Sequence, residues 1–443
     1  MKRFEIVRGL ESRARTYASR FQTVFESGAG LRMRDESGRE YIDCLACAGA
    51  LALGHNHPEI REALVRFLSS GHVQQVLDLT TPAKFEFVEE LFGLLPHHWA
   101  SKAKIQFCSP SGSDAVEAAM KLTRIATGRS PIIAFSGAYH GMTGGALAAM
   151  GNVLPKVAAV PGTGAIHFAP FPYRYRCPFG TNGEQTDQLS IQYLRTLCSD
   201  PESGITKPAA VIVEVVQGEG GCIPASDEWL RELRDITRRH DIALIVDEVQ
   251  TGFARTGRMF AFQHAGIEPD VLILSKALGG GYPLSVIVYD RALDQWPRGM
   301  HAGTFRGNQI AMVAGRVTMG ILQRDRMDEH AAEVGALFHA GLVDLGRSHP
   351  EFGEIRGRGL MLGVEIVRRE LREARGPQDG ALASAIQRAA FENGLLLETG
   401  GRHGAVLRFL PPLIISAQDV GEILDRLATS VSQAKQRLES VVS

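Results

Sequence analysis

Short apolar runs bounded by turn residues alternate with amphipathic stretches through the middle of the chain. The runs at 104–108, 131–135, 209–215, 242–246, 271–274 and 284–289 are short and mostly apolar, with polar residues at Lys104, Gln106, Glu214 and Ser285. That is the pattern of strands covered on both faces. Between them, 113–127, 227–239 and 308–323 carry the spacing of helices with one apolar face. The alternation predicts an α/β fold, a mostly parallel sheet with helices on both sides. In such sheets ligands collect at the carboxyl ends of the strands.

The flanks read differently. Residues 21–43 alternate as strands do, broken by turn signals at Gly28-Ala-Gly30 and Glu36-Ser-Gly38. Residues 58–95 fit two amphipathic helices, with Pro58 at the first start and Ile60, Leu64, Phe67 and Leu68 on one face. After about residue 325 come a helix at 328–345, a strand at 359–367, a helix at 380–393, strands at 394–398 and 405–409, and a last helix at 417–437. The expected organisation is a large domain over 56–325 and a small α+β domain over 326–443, with the N-terminal segment 1–55 packing on the small one. The stretch 170–188, rich in proline, glycine and aromatics, reads as a loop long enough to suggest function.

Composition narrows the classes. The chain has 443 residues, with 48 Lys plus Arg against 49 Asp plus Glu. No long-range field favours a polyanion, so nucleic acid is not an expected partner. The first residues have no apolar core of a secretory signal, and no apolar run approaches a membrane span. A cytoplasmic protein with six reduced cysteines is expected. Cys44-Leu-Ala-Cys47 has CxxC spacing, but no second pair completes a zinc site, and its small apolar surroundings point to buried packing. His55 and His57 lack a third ligand nearby, so no metal is expected.

Five places carry chemistry. Lys276 follows the apolar run 271–274 and precedes Gly279-Gly-Gly281. A lysine at the end of a buried strand can be desolvated, and its neutral amine can form a Schiff base with an aldehyde. Asp247 closes the run 242–246, where a carboxylate faces the ligand crevice. Ser109-Pro-Ser111-Gly112-Ser113 opens a helix after a strand, offering N–H groups and hydroxyls to an anion; the same residues would serve as an ordinary N-cap. Tyr139, in Ala138-Tyr-His140-Gly141, could stack on a ring or sit in the core. Thr304, in His301-Ala-Gly-Thr304-Phe-Arg-Gly307, is a second anion-binding pattern.

Together these segments resemble the class III pyridoxal-phosphate aminotransferases of fold type I. The likeness runs from about residue 15 to 430 and is carried by Leu244-Ile-Val-Asp247-Glu-Val-Gln250-Thr-Gly252, Asp270 to Lys276, and Gly279-Gly-Gly281. The resemblance implies pyridoxal 5′-phosphate on Lys276, with Asp247 at the pyridine nitrogen, Gln250 at the ring hydroxyl and Tyr139 on the ring face, beside His140. It implies Ser111, Gly112 and Ser113 on the phosphate, with Thr304 supplied by a partner in a homodimer. Arg408 resembles the arginine that grips 2-oxoglutarate or glutamate, and Glu219 the carboxylate that covers it when an amine donor binds. Leu51-Ala-Leu-Gly-His-Asn-His-Pro58, Leu77-Asp-Leu-Thr-Thr-Pro82, Phe171 to Gly180 and Thr304-Phe-Arg-Gly-Asn-Gln309 resemble the diaminobutyrate–2-oxoglutarate transaminases more closely. The expected reaction moves the terminal amine of L-2,4-diaminobutyrate to 2-oxoglutarate, giving L-aspartate 4-semialdehyde and L-glutamate. Ornithine, 4-aminobutyrate, taurine or β-alanine as donor, or an aminomutase on the same cofactor, are the alternatives. Ser113-Asp114 stands where the wider family often has Thr-Glu, and Cys44 and Cys47 lie in the segment that the resemblance places along the donor pocket. No residue emerges for the donor's α-carboxylate.

Overall fold

The mostly apolar runs become strands of a seven-stranded sheet. In a computed structural model that describes residues 2–159, 165–181, 183–368 and 375–442, the strand order is Ala103–Phe107, Val286–Asp290, Val271–Leu274, Ala243–Asp247, Ala210–Val213, Ile132–Phe135, Ile166–Ala169. Val286–Asp290 runs against both neighbours; the other pairings are parallel. Successive residues face opposite sides of the sheet. Leu244, Val246, Leu272 and Leu274 enter one core, and Ala243, Ile245, Val271 and Ile273 the other. Burial on both faces is why these strands show no polar alternation.

Helices cover both sides. Asp227–Arg239 has acidic residues in its first turn and arginines in its last, which suits the helix dipole. Ser226 caps it, accepting the Trp229 N–H at 3.1 Å. Trp229 is fully buried against Phe135 and Phe171, with ring centroids 5.3 and 5.8 Å away. Burying one such side chain is worth about 1.5–3 kcal/mol. Asp247 closes one strand and Lys276 follows the end of its parallel neighbour, and the crossover between them carries a short 3₁₀ turn, Ala261–His264.

The C-terminal residues form an antiparallel sheet of Phe352–Arg358, Met361–Ile366, Val406–Phe409 and Glu398–Gly400, flanked by the helices Met327–Ser348, Gly380–Glu392 and Ala417–Val442. The N-terminal strands Phe25–Ala29, Arg32–Asp35 and Glu40–Asp43 make a third sheet. Its fourth strand is Leu395–Leu396, paired parallel to Glu40–Asp43. The Cys44 backbone is stitched on both sides, its N–H to Leu396 O and its C=O to the Leu410 N–H, each at 2.9 Å.

The loop from residue 170 onward, of which residue 182 lies outside the described residues, bonds to the C-terminal sheet. Tyr173 Oη and Arg176 both donate to Glu365, a fully buried carboxylate that also accepts from Arg356. Its last part, from Glu184, is already helix. Among the described residues no helix is long and apolar enough to cross a membrane.

Candidate active site

The carboxyl edge of the large sheet encloses a cavity of about 360 Å³, within the range of small-molecule sites. Strands that reach it deliver a functional group at or just past their ends. Val271–Leu274 delivers Lys276, Ala243–Asp247 delivers Asp247, Ile132–Phe135 delivers Tyr139 and His140, and Ala103–Phe107 delivers the Ser111-Gly112-Ser113 turn.

Lys276 opens a short 3₁₀ turn with φ +50°. Burial lowers its pKa and the nearby Arg408 charge acts in the same sense, against the pull of Glu219, Asp247 and Glu214. An amine held in this way is a better nucleophile at neutral pH than a surface lysine.

Asp247 is held from two directions. Its Oδ2 meets His140 Nδ1 at 2.7 Å and its Oδ1 accepts the Val249 N–H at 3.0 Å. Burial disfavours a charged His140, but Asp247, with help from Glu214, outweighs it and raises the imidazole pKa. Glu214 is buried beside them and accepts the N–H groups of Tyr139 (2.8 Å) and Gly218 (3.0 Å). Burial pushes its pKa up to about 7 against the pull of His140. Glu214 interrupts the apolar run 209–215 rather than closing it, so the signal that marks Asp247 does not mark Glu214.

The Ser111-Gly112-Ser113 turn starts a 16-residue helix, with Ser111 Oγ accepting the Ser113 N–H at 3.2 Å. Neighbouring chain presses on it closely. A Cβ on Gly112 would lie 3.1 Å from both Val249 methyls, and one on Gly141, where φ is +116°, would lie 2.0 Å from Ser113 Oγ. Glycine is required at Gly141 by both space and conformation. Thr304 is exposed, in a short turn at Thr304–Gly307, and does not line this cavity.

Arg408 is completely buried behind the cavity wall. Its Nη1 meets Glu219 Oε1 at 2.6 Å and Glu398 Oε2 at 3.1 Å, and its Nη2 donates to Gln250 Oε1 at 3.0 Å. Arg408 holds the pKa of Glu219 below the usual carboxylate range although burial opposes it. Glu398 is itself fixed by Tyr17 Oη at 2.8 Å. Glu398 and Tyr17 are absent from the sequence reading. A charge ending Leu395-Leu-Leu397 is the one signal that marks Glu398, and nothing local marks Tyr17.

The other wall is a backbone anomaly. Ala46, Cys47 and Ala48 have φ of 44°, 51° and 56°. Each non-glycine residue in this region costs about 1–2 kcal/mol. Asp43 offsets part of that, accepting the Leu45 and Ala46 N–H groups at 2.8 and 3.0 Å, and Gln250 Nε2 donates to Ala48 O at 3.1 Å. The turn divides the cysteine pair: Cys44 is buried, as its apolar surroundings suggest, and Cys47 is not, and lines the cavity.

A desolvated amine, a carboxylate fixed by an imidazole, and a hydroxyl-lined helix start with no room for a Cβ suit an aldehyde-bearing pyridine phosphate, and the residues fit pyridoxal phosphate. Fold and pocket together are those of an aminotransferase, and the chain belongs to the class III aminotransferases, whose pattern matches residues 14–431. Among its relatives are diaminobutyrate–2-oxoglutarate aminotransferases of Rhizobium meliloti, 53% identical over 95% of this chain and 90% of that one, and of Haemophilus influenzae, 46% identical over 96% and 94%. Among solved structures, an amine transaminase from an uncultivated Pseudomonas species in its PLP-bound form superposes with a TM-score of 0.85 at 26% identity, covering 96% of this chain and 98% of that one. An omega-transaminase from Thermomicrobium roseum does so with a TM-score of 0.85 at 28% identity, covering 97% of each.

Proposed function

We propose that this chain is a pyridoxal-phosphate transaminase that moves the terminal amine of L-2,4-diaminobutyrate to 2-oxoglutarate, reversibly, giving L-aspartate 4-semialdehyde and L-glutamate. It works as a homodimer in which Thr304 of each copy completes the phosphate cup of the other; its exposure outside its own cavity supports this. The observation that carries the reading is Arg408, buried, paired to Glu219, and close enough to influence the charge of Lys276. An enzyme with one amino-acid substrate has no need for a covered arginine; one that alternates an amine donor with a dicarboxylate does.

When bound, pyridoxal phosphate supplies an aldehyde and an electron-withdrawing ring. Lys276 Nζ is the group that anchors it and that takes and returns the proton of the substrate carbon. Asp247, oriented by His140 and the Val249 N–H, holds the pyridine nitrogen. Tyr139 covers one ring face, Gln250 holds the ring hydroxyl, and Ser111, Gly112 and Ser113 bind the phosphate. Glu219 covers Arg408 while the donor reacts. The 2-oxoglutarate carboxylate then displaces it, gripping the guanidinium through two N–H groups.

Half-reaction spectra test the reading. Each amine is added singly to the PLP form with no oxo acid, and the visible band is followed into the near ultraviolet. L-2,4-diaminobutyrate and L-glutamate should both convert the enzyme, with ornithine slower than diaminobutyrate. Conversion by another amine with diaminobutyrate inert would remove the named donor, and conversion by none would remove the transaminase. The cup has its own test. Gly141→Ala should weaken PLP binding to the apoprotein about tenfold or more, since relieving a strained, blocked position costs about 1–3 kcal/mol. An unchanged affinity in a fluorescence titration would remove Ser113 from the phosphate site.

A further inference from the structure

Three carboxylates line the cavity that holds Lys276: Asp247, Glu214 and Glu219. Two of them are fully engaged. Asp247 uses one oxygen on His140 and the other on the Val249 N–H. Glu214 uses its two on the N–H groups of Tyr139 and Gly218. Both are almost completely buried. Glu219 differs. Its Oε1 is bound to Arg408, its Oε2 takes no hydrogen bond among the described residues, and its side chain keeps 35% of its accessible area. The cavity therefore shows one open anionic oxygen to whatever lies over Lys276.

The cations are distributed just as unevenly. Lys276 lines the cavity, and among the described residues no arginine does. Arg408 lies behind the wall, fully buried and facing Glu219, Glu398 and Gln250. A donor whose far end carries only a carboxylate meets the Glu219 charge with no arginine in the cavity lining to pair with it; the other cations that act on Glu219 are Lys276, at the reacting end, and Arg20, outside that lining. A donor whose far end also carries an ammonium finds in Oε2 a charge-assisted acceptor.

We propose that the two oxygens of Glu219 do separate work: Oε1 covers Arg408, while Oε2 receives the distal ammonium of the donor, so that Glu219 selects diamines over simple ω-amino acids. This rests on the chain being a transaminase of terminal amines and names the chemical class it takes. L-2,4-diaminobutyrate and 4-aminobutyrate form a matched pair for this purpose. They share the reacting amine, the carbon chain and the carboxylate, and differ by the α-ammonium alone. Discrimination of this kind comes from attraction of one substrate and repulsion of the other by the same group.

The experiment compares the wild type with Glu219→Gln in single half-reactions, using L-2,4-diaminobutyrate, 4-aminobutyrate, 1,3-diaminopropane and L-glutamate. Glutamine keeps the size and an oxygen for Arg408 but removes the charge. The rate-over-affinity ratio of diaminobutyrate to 4-aminobutyrate should fall about ten- to a hundredfold, the size expected for a hydrogen bond to a charged group. Diaminopropane, which has the second ammonium and no carboxylate, should fall in step with diaminobutyrate. Glutamate conversion, whose carboxylate uses Arg408, should fall less than diaminobutyrate conversion. A ratio that stays within about twofold overturns the proposal. A measurement on the wild type alone removes dependence on the variant's folding: diaminopropane should convert the enzyme faster than n-propylamine, and equal rates overturn the proposal as well. Failure of glutamate to convert the wild type would instead strike the transaminase reading itself.

Discussion

Lys276→Ala is expected to lower turnover by at least about a thousandfold and to remove the visible absorbance that a lysine Schiff base gives. Two roles vanish together, the covalent anchor and the proton carrier, and positioned proton transfer alone accounts for about 10²–10⁴-fold. No other lysine lines the cavity, so among the described residues nothing nearby substitutes. The fold should survive, because the amine is a burden to bury rather than a core contact, with a pKa already lowered by burial. Thermal unfolding of the two apoproteins should therefore agree within a few degrees while the spectra differ completely. Turnover near that of the wild type, in a variant with no visible band, would remove Lys276 from the chemistry.

The second large effect is at Arg408, and it should be selective. Arg408→Lys keeps a positive charge between Glu219 and Glu398 but loses the planar fork that grips a carboxylate through two N–H groups. Truncating one partner of a buried charge pair costs about 2–5 kcal/mol, so the glutamate half-reaction should lose about a hundredfold or more in rate over affinity. The diaminobutyrate half-reaction should lose far less, because the donor leaves Glu219 on the guanidinium. Arg408→Ala is the harsher version. It strands two carboxylates and should also destabilise the protein by about 3–5 kcal/mol. Equal losses in both half-reactions of the lysine variant would turn the Arg408–Glu219 pair into a fixed structural bridge.

Much of this arrangement is legible in the sequence, for a physical reason. Strands buried on both faces advertise themselves as mostly apolar runs, and Asp247 and Lys276 stand out because each is a charge placed where such a run stops. Two strands escape that signal. Ile166–Ala169 is an edge strand of four residues with a histidine inside it. Phe352–Arg358 carries Glu354, Arg356 and Arg358, and reads as polar until its partners are known. Arg356 is buried because Glu354 and Glu365 neutralise it and Gly221 O accepts its Nε–H. Burial achieved by pairing leaves no apolar trace. The same limit hid Tyr17 and Glu398, whose hydrogen bond joins positions 381 residues apart. The backbone geometry that carries Cys47 was hidden for another reason: three consecutive left-handed residues that are not glycine have no signature in residue type.

The parallel pairing of Glu40–Asp43 with Leu395–Leu396 has a consequence for how the protein is born. The first strand leaves the ribosome about 350 residues before its partner, which at about 5–20 residues per second is a wait of roughly 20 to 70 seconds. Throughout that interval its edge is an open template for other chains. The Cys44 backbone, stitched to Leu396 and Leu410, cannot be fixed earlier, and neither can the strained turn that follows it. Lys276, Asp247 and the Ser111-Gly112-Ser113 turn can all be in place on the growing chain while the wall carrying Cys47 is still missing. The nascent enzyme would then hold its reactive centre before it can choose a substrate, and selectivity is the last property that synthesis completes.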